Sequence, residues 1–534
     1  MKQRNICLLF AVLLLCLTAS AQGNPQVKVA EGTLEGSCES GINVFRGVPF
    51  AAPPVGQLRW QAPQPAAHWQ GVRQAKEFGP NPMQEPLFGD MDFGTKKMSE
   101  DCLYLNIWTP AKTFAERLPV LIYFNGGGLL AGSGSEPRYA GMSMARHGIV
   151  AITANYREGI FGNFAHPQLS KETSYKGSGD YGFLDQVAAI RWLHDNIAAF
   201  GGDPERITIV GESAGSVSVS ALMASPLCKG LFAQAMGSSG SVLSAQRSIP
   251  LKEAERQGVA LMKRMGKKSI EELRRMPAEQ LMKEAHETSM AGCVTDGYFM
   301  PKDPVEIYAN GEQAQVPLLV GGNNMESPLQ WRFGGRPATL RDFQEIARTA
   351  FGDHAGEVLR AYGINSDSAA NSMDANQLLG DLFIGFRTWK WADMHARSCA
   401  KPVYRYLYCH PRPAMRVAGK VGGLAGGTMD SPDGSTQPQF AGAVHSADIE
   451  YAMGNLPTNR VYDWQPEDFV VSDIFMGFYV NFIKTGNPNG LGLPEWTPTN
   501  GRQVPPVMQI DVNPCQKADA AVENRYRLLD NIYK

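Results

Sequence analysis

The segment spanning residues 207–223 constrains the fold of this chain more than any other. Four β-branched residues at 207–210 lead into Gly211-Glu212-Ser213-Ala214-Gly215, and apolar residues then recur at helical spacing. Glycines at both ends of the turn are needed where a side chain would collide with the adjoining strand or helix. The pattern predicts a strand, a sharp turn with Ser213 at its tip, and a helix that begins beneath the serine.

Other short apolar runs predict buried parallel strands, each ending at a glycine, an asparagine or a polar loop. Residues 180–200 carry apolar side chains at helical spacing, so strand, helix and strand alternate. This alternation predicts an α/β fold, with a mainly parallel central sheet and helices on both faces. No repeat or linker divides the chain, so we expect one domain over residues 22–534 with large loop and helix insertions. The further predicted strands are 120–124, 149–154, 316–320 and 403–407.

The amino terminus has the features of an export signal. Lys2 and Arg4 precede an apolar run at 6–17, and Ala19-Ser20-Ala21 supplies small residues for a peptidase. We predict cleavage after Ala21 and a secreted or periplasmic protein. The apolar run is too short to span a bilayer. Lipidation at Cys16 is the weaker alternative, because Leu15 stands where a lipidation site requires a small residue.

Composition excludes several classes of function. The formal net charge is −2, and removal of Lys2 and Arg4 brings it to −4, so no basic surface favours nucleic acid or an anionic membrane. The cysteines show no CxxC pair and no Cys/His cluster, and we therefore expect neither a metal nor another cofactor. The chain contains no Asn-x-Ser/Thr motif, which favours a bacterial origin.

Ser213 in such a turn is typical of a nucleophile in acyl transfer. A reaction of that kind needs backbone N–H donors aimed at the oxyanion of its tetrahedral intermediate. Asn125-Gly126-Gly127-Gly128 directly follows the strand at 120–124, and a glycine run lets the backbone turn its N–H groups toward one point. We predict an oxyanion hole formed by the N–H groups of Gly127, Gly128 and Ala214.

A hydroxyl nucleophile also needs a base and an orienting carboxylate. In hydrolases with this turn the acid follows the serine and the histidine comes last. His445 is the last histidine and lies among small residues, with His410 as a rival. The loop after the strand at 316–320 offers Glu326 as the acid. Asp448 and Asp296 are alternatives.

The sequence resembles the type-B carboxylesterase/lipase family, which also contains the cholinesterases. The resemblance covers nearly the whole chain after residue 21 and implies an α/β-hydrolase fold. It also implies serine carboxylic ester hydrolysis through an acyl-enzyme, with Glu326 as the acid and His445 as the base. The matching segments are FRGVPFA at 45–51, EDCLYLN at 100–106, NYR at 155–157, DNIAAFGGDP at 195–204 and GESAG at 211–215.

Several positions depart from the family pattern. Asn125 stands where the family has histidine, Leu129 replaces an aromatic residue, and Glu158 occupies a commonly apolar position. We expect these changes to alter the pocket, with Glu158 disfavouring anionic substrates if it faces that pocket. The chain also lacks a cysteine where the family has the disulfide partner of Cys102.

Substrate choice follows from what the chain contains. Residues 82–97 carry Phe88 and Phe93 but no tryptophan, so an aromatic cage for choline is not expected. We predict neutral esters with short to medium acyl groups. A catalytically inactive adhesion protein of the same fold is the alternative.

For two features, the sequence fits a structural role and a functional role equally well. The Gly- and Pro-rich segment 411–442 fits a solvated insertion and a part of the site entrance equally well. Ser239 resembles a serine that supports the acid, but it also fits a simple turn.

Overall fold

The computed structural model describes residues 24–243, 248–286 and 292–534, and the predicted leader at 1–21 lies outside them. An eleven-stranded sheet forms the centre, in the order β11-β10-β9-β8-β7-β6-β4-β5-β3-β2-β1. The seven strands β5, β4, β6, β7, β8, β9 and β10, in this spatial order, are parallel to one another. The remaining pairs at the two edges of the sheet are antiparallel. The strands are β1 (Ser37–Glu39), β2 (Ile42–Pro49), β3 (Tyr104–Thr109), β4 (Leu118–Phe124), β5 (Val150–Ala154), β6 (Gly202–Glu212), β7 (Gln234–Ser238), β8 (Leu318–Asn323), β9 (Val403–Tyr408), β10 (Val507–Ile510) and β11 (Cys515–Lys517).

Helices cover both faces of this sheet. The longer helices are α1 (Tyr181–Asn196), α2 (Ala214–Ala224), α3 (Leu251–Arg264), α4 (Ala278–Ala285), α5 (Leu340–Phe351), α6 (Met373–Gly380), α7 (Phe386–Ser398), α8 (Pro466–Thr485) and α9 (Ala520–Ile532). Shorter helices span Met142–Arg146, Gly159–Asn163, Pro167–Glu172, Ile270–Arg274, Pro304–Ala309, Leu329–Phe333, Ala355–Ala361 and Ile449–Ala452. Small sheets join Gln26–Val29, Gly32–Glu35 and Val72–Gln74, then Ile249–Pro250 with Val294–Thr295, and Lys420–Gly422 with Thr428–Asp430.

The core lies on the two faces of the sheet because side chains alternate along each strand. In β4, Val120 and Ile122 pack with α1 and α2 on one face, while Leu121 and Tyr123 pack with α8 on the other. A third cluster holds the helical insertion between β8 and β9 against α9. The predicted α/β-hydrolase architecture, with helices on both faces and large insertions, is confirmed.

The predicted elements are present, with shifted ends. The strand predicted at 316–320 begins only at Leu318 and continues to Asn323. It continues through Gly321 because the backbone there pairs with Tyr406 of β9, whose ring would collide with a Cβ at this position. The predicted loop before Glu326 is correspondingly shorter. The helix predicted at 180–200 is α1 followed by a 3₁₀ turn at Ile197–Phe200.

Candidate active site

Ser213 stands at the turn between β6 and α2 in a strained backbone conformation, with φ 55° and ψ −121°. A Cβ on Gly211 would collide with the carbonyl of Gly215, and a Cβ on Gly215 would collide with the carbonyl oxygen of Phe124. The turn therefore requires glycine at both positions, for the reason that the sequence indicates. Ser213 is partly exposed, while the residues on either side of it in the chain are buried.

The structure brings the three predicted triad residues together. His445 Nε2 lies 3.0 Å from Ser213 Oγ, and His445 Nδ1 lies 2.7 Å from Glu326 Oε2. His445 and Glu326 are buried, at 2% and 4% exposure, so water does not compete for these hydrogen bonds. A serine, a neutral imidazole and a carboxylate in this order can pass the hydroxyl proton to the ring.

The second oxygen of Glu326 is held by two donors. The Asn323 N–H donates to Oε1 at 2.7 Å, and Ser239 Oγ donates to it at 2.5 Å. Oε2 is left to face the imidazole. Ser239 thus contacts the predicted acid, which was one of the two roles that its sequence allowed.

The alternative candidates lie elsewhere. Asp448 accepts hydrogen bonds from Ser238 and Asn323 and makes none to His445. Asp296 accepts the N–H groups of a turn at Tyr298 and Met300. His410 lies between Asp468 and Asp511, at 3.0 Å from each, and does not reach Ser213.

A further carboxylate flanks the imidazole. Glu212 Oε1 lies 3.4 Å from His445 Nε2 and accepts a hydrogen bond from Ser446 Oγ at 2.6 Å. Burial raises the pKa of Glu212 to about 7. Burial alone would lower the pKa of His445, but the nearby Glu212, Glu326 and Asp448 outweigh it and raise this pKa to about 9.

The three residues of the predicted oxyanion hole line the same cavity as Ser213. Gly127 and Gly128 adopt positive φ, at 107° and 69°, and a Cβ on Gly126 would lie 3.0 Å from the Cβ of Ser213. The N–H groups of Gly127, Gly128 and Ala214 make no hydrogen bond to any residue that the structure describes. No described residue therefore occupies these three donors.

Glu158 does not line the cavity over Ser213, so the condition under which it would disfavour anionic substrates is not met. Its carboxyl is fully buried and accepts a hydrogen bond at 3.1 Å from Asn125, which also donates to the Gly126 carbonyl. Tyr156 donates to the Asn125 carbonyl at 2.7 Å. Burial raises the pKa of Glu158 well above its usual value, even though Asn125 and Tyr156 oppose this shift. The Asn125 amide therefore links Glu158 to the glycine turn by hydrogen bonds.

A cavity of about 290 Å³ opens over Ser213. Leu129 lines it, as expected for a residue that replaces an aromatic side chain. Leu424 and Ala425 of the segment 411–442 form part of the wall, so this segment contributes to the site. The other side chains of the wall include Phe88, Met91, Glu136, Arg138, Tyr139, Val217, Phe383, Ile384, Arg387 and Ile449.

Sequence reasoning did not identify several of these residues. Glu212 could have been noticed as the neighbour of Ser213, but its contact with His445 depends on a loop more than two hundred residues away. Phe383, Ile384 and Arg387 lie in a helical insertion whose periodicity does not reveal which face lines the cavity.

The described residues offer little for metal binding or membrane insertion. Within ranges 24–243, 248–286 and 292–534, no group of three or more His, Cys, Asp or Glu side chains is placed to hold a metal ion. None of the helices in these ranges combines the length and apolar character of a membrane span. The seven cysteines of the described ranges form no disulfide with one another, and Cys102 is a buried free thiol.

This fold, with a strained serine hydrogen-bonded to a buried histidine, defines a serine hydrolase of the α/β-hydrolase class. Comparison with known proteins narrows the class. The chain belongs to the carboxylesterase family, whose model matches residues 23–529, and it is a carboxylic ester hydrolase.

Several known proteins are similar over much of the chain. A fumonisin B1 esterase of Sphingopyxis macrogoltabida is 39% identical over 66% of this chain, although the match covers only 65% of that protein. A phenmedipham hydrolase of Pseudarthrobacter oxydans is 32% identical over 91% of this chain and 95% of its own length. The crystal structure of a Geobacillus stearothermophilus carboxylesterase superposes with a TM-score of 0.79, at 30% identity, covering 94% of this chain and 99% of that one.

Proposed function

We propose that Ser213, His445 and Glu326 hydrolyse carboxylic esters through an acyl-enzyme. His445 Nε2 accepts the proton of Ser213 Oγ as that oxygen attacks the ester carbonyl, and then delivers it to the leaving alkoxide. Glu326 holds the N–H at Nδ1 and stabilises the imidazolium. The observation that carries the proposal is the continuous hydrogen-bonded chain of 3.0 Å and 2.7 Å at the wall of a cavity.

The second half of the reaction uses the same groups. Water replaces the alcohol, loses a proton to His445 Nε2, and attacks the acyl carbon, and Ser213 then leaves with that proton restored. The N–H groups of Gly127, Gly128 and Ala214 stabilise the oxyanion in both tetrahedral intermediates. Each such donor is typically worth about 3 kcal/mol in the transition state.

The cavity favours esters with short to medium acyl groups. Its volume of about 290 Å³ suits a compact ester, and the side chains of Phe88, Met91 and Leu129 make much of its wall apolar. The predicted preference for neutral substrates rested partly on Glu158, which is not part of this wall.

We also propose that the enzyme is exported and that residues 22–534 form one domain. The family match from residue 23 begins directly after the predicted cleavage site, and it runs on to residue 529. Lys2, Arg4 and the apolar run that follows them favour secretion or release into a periplasm. N-terminal sequencing of the exported protein should begin at Gln22, and an intact Met1 in that protein would contradict this.

A set of chromogenic esters tests the substrate range. We expect p-nitrophenyl acetate and butyrate to give higher kcat/KM values than p-nitrophenyl palmitate or butyrylthiocholine. An advantage of more than tenfold for the palmitate or the choline ester would contradict the substrate range but leave the serine mechanism intact. Absence of hydrolysis with every ester would favour the alternative of an inactive binding protein.

A further inference from the structure

One wall of the cavity comes from an irregular helix. Helix α6 continues through a π-helical turn at Asp381–Gly385 directly into α7. Buried Asp381 fixes this turn by accepting hydrogen bonds from Tyr362 Oη at 2.7 Å and Tyr526 Oη at 2.9 Å. Single π-helical turns are rare and occur frequently at functional sites. Side chains at this turn are therefore candidates for a role in the reaction.

The π-helical turn and the start of α7 place three side chains at the cavity. Phe383, Ile384 and Arg387 all line it. The Phe383 ring packs edge-on against the His445 imidazole, with ring centroids 5.0 Å apart. Side chains from this part of the helix therefore reach the same space as the imidazole and Ser213.

Arg387 differs from the other ionisable residues of the wall. Glu136 and Arg138 pair with each other, while Glu212 and His445 belong to the network around Ser213. The Arg387 guanidinium makes no hydrogen bond or ion pair with any described residue; the Ser241 hydroxyl donates to the backbone carbonyl of Arg387, at 2.6 Å, and not to its side chain. It is a half-buried cation that faces a cavity without a described counter-ion.

An unpaired guanidinium in an apolar cavity is unfavourable, because burial removes its hydration without supplying a partner. Burial accordingly lowers the pKa of Arg387, and no neighbouring carboxylate opposes the shift. A planar guanidinium matches a carboxylate through two parallel hydrogen bonds, which are among the stronger polar contacts in proteins. A substrate that brings a carboxylate into the cavity would remove this penalty.

We propose that Arg387 binds a carboxylate carried by the ester substrate. This inference rests on the proposed function, since it concerns the same cavity. It replaces the expected preference for neutral esters with one for esters that bear a free acid group. That group belongs either to the acyl part, as in a monoester of a dicarboxylic acid, or to the alcohol part, as in an ester of a hydroxybenzoic acid.

Two pairs of esters distinguish these sources. In the first pair, p-nitrophenyl hydrogen adipate is compared with p-nitrophenyl methyl adipate, so the charge lies on the acyl side. In the second, 3-carboxyphenyl butyrate is compared with 3-carbamoylphenyl butyrate, so the charge lies on the alcohol side. For each pair the readout is the ratio of kcat/KM for the acid to kcat/KM for its uncharged counterpart.

We expect this ratio to fall by about tenfold or more in one pair when Arg387→Met replaces the wild type, in line with the loss of a charged hydrogen bond. Arg387→Lys should retain part of the ratio, because it keeps the charge without the planar fork. Arg397→Met is the matched control. Arg397 lies further along α7, is 64% exposed and does not line this cavity, so the ratio should not change.

The outcomes separate the two proposals. Equal ratios for wild type, Arg387→Met and Arg387→Lys in both pairs would overturn the role of Arg387 while leaving ester hydrolysis intact. Failure of the wild type to hydrolyse any of the four esters would count against the proposed function itself. If Arg387→Met does not fold, the ratio measured for Arg387→Lys against the wild type decides the question.

Discussion

Ser239 Oγ donates a hydrogen bond of 2.5 Å to Glu326 Oε1, on the side of the carboxylate away from His445. The Asn323 N–H binds the same oxygen. Two donors on Oε1 fix the plane of the carboxylate, so that Oε2 points at the imidazole. The orientation of the histidine therefore depends on residues outside the triad.

The first prediction distinguishes Glu326 from Asp448 as the acid of the triad. Glu326→Gln should lower kcat by roughly 10²- to 10⁴-fold, because an amide cannot stabilise the imidazolium and favours the wrong tautomer. Asp448→Asn should have a far smaller effect on kcat, since Asp448 binds Ser238 and Asn323 instead of the imidazole. Steady-state kinetics on p-nitrophenyl butyrate gives both values, with thermal unfolding as the control for stability. The reverse ranking would reassign the acid.

The second prediction concerns pH. Only neutral His445 can accept the proton of Ser213, so kcat/KM should rise with pH through the pKa of this imidazole in the free enzyme. Because Glu212, Glu326 and Asp448 raise that pKa to about 9, the midpoint should lie above the ordinary value of about 6.5. Activity is lost below the midpoint, where the imidazole is protonated.

Glu212→Gln provides the matched test of this cause. Removing the charge 3.4 Å from His445 Nε2 should shift the midpoint of the kcat/KM profile to lower pH. An unchanged midpoint in this variant would show that Glu212 does not set the pKa of the histidine.

The sequence predicts the local parts of this site well. The strand, the glycines and the helix around Ser213 are contiguous, so their pattern is readable from one segment. His445 and Glu326 could be proposed from chain order together with the family resemblance. The sequence leaves open whether Glu158 faces the pocket, because its contact with Asn125 depends on how two loops pack. Arg387 was missed because periodicity does not reveal a π-helical turn.

The third prediction follows from the burial of Glu158. Burial raises its pKa well above the usual value and so favours the uncharged carboxyl, for which glutamine is a close substitute in shape. Glu158→Gln should therefore keep kcat/KM for p-nitrophenyl butyrate within a few-fold of the wild type. Glu158→Ala leaves the Asn125 amide without this partner and should lower the free energy of unfolding by about 1–3 kcal/mol. Equal damage from both substitutions would indicate that the carboxylate is charged.

The fourth prediction compares two neighbouring glycines. A Cβ on Gly127 would collide with the carbonyl of Ala131, so Gly127→Ala must move the backbone that carries the oxyanion donors. We expect kcat to fall by about 10²-fold or more, as for the loss of one such donor. Gly128→Ala meets no atom closer than 3.8 Å and should reduce kcat much less, although its φ of 69° costs some stability. Similar kcat values for the two variants would argue against Gly127 in the oxyanion hole.

The central claim is that Ser213 carries the acyl group during turnover. The most direct measurement is acid quenching of the enzyme during hydrolysis of p-nitrophenyl butyrate, followed by tryptic digestion and mass spectrometry. Cleavage after Arg206 and Lys229 isolates residues 207–229, and fragmentation should locate a butyryl group on Ser213. Ser213→Ala should show no acylated peptide and a kcat lower by about 10⁴-fold or more. A butyryl group on another residue, or comparable turnover by the alanine variant, would contradict the account.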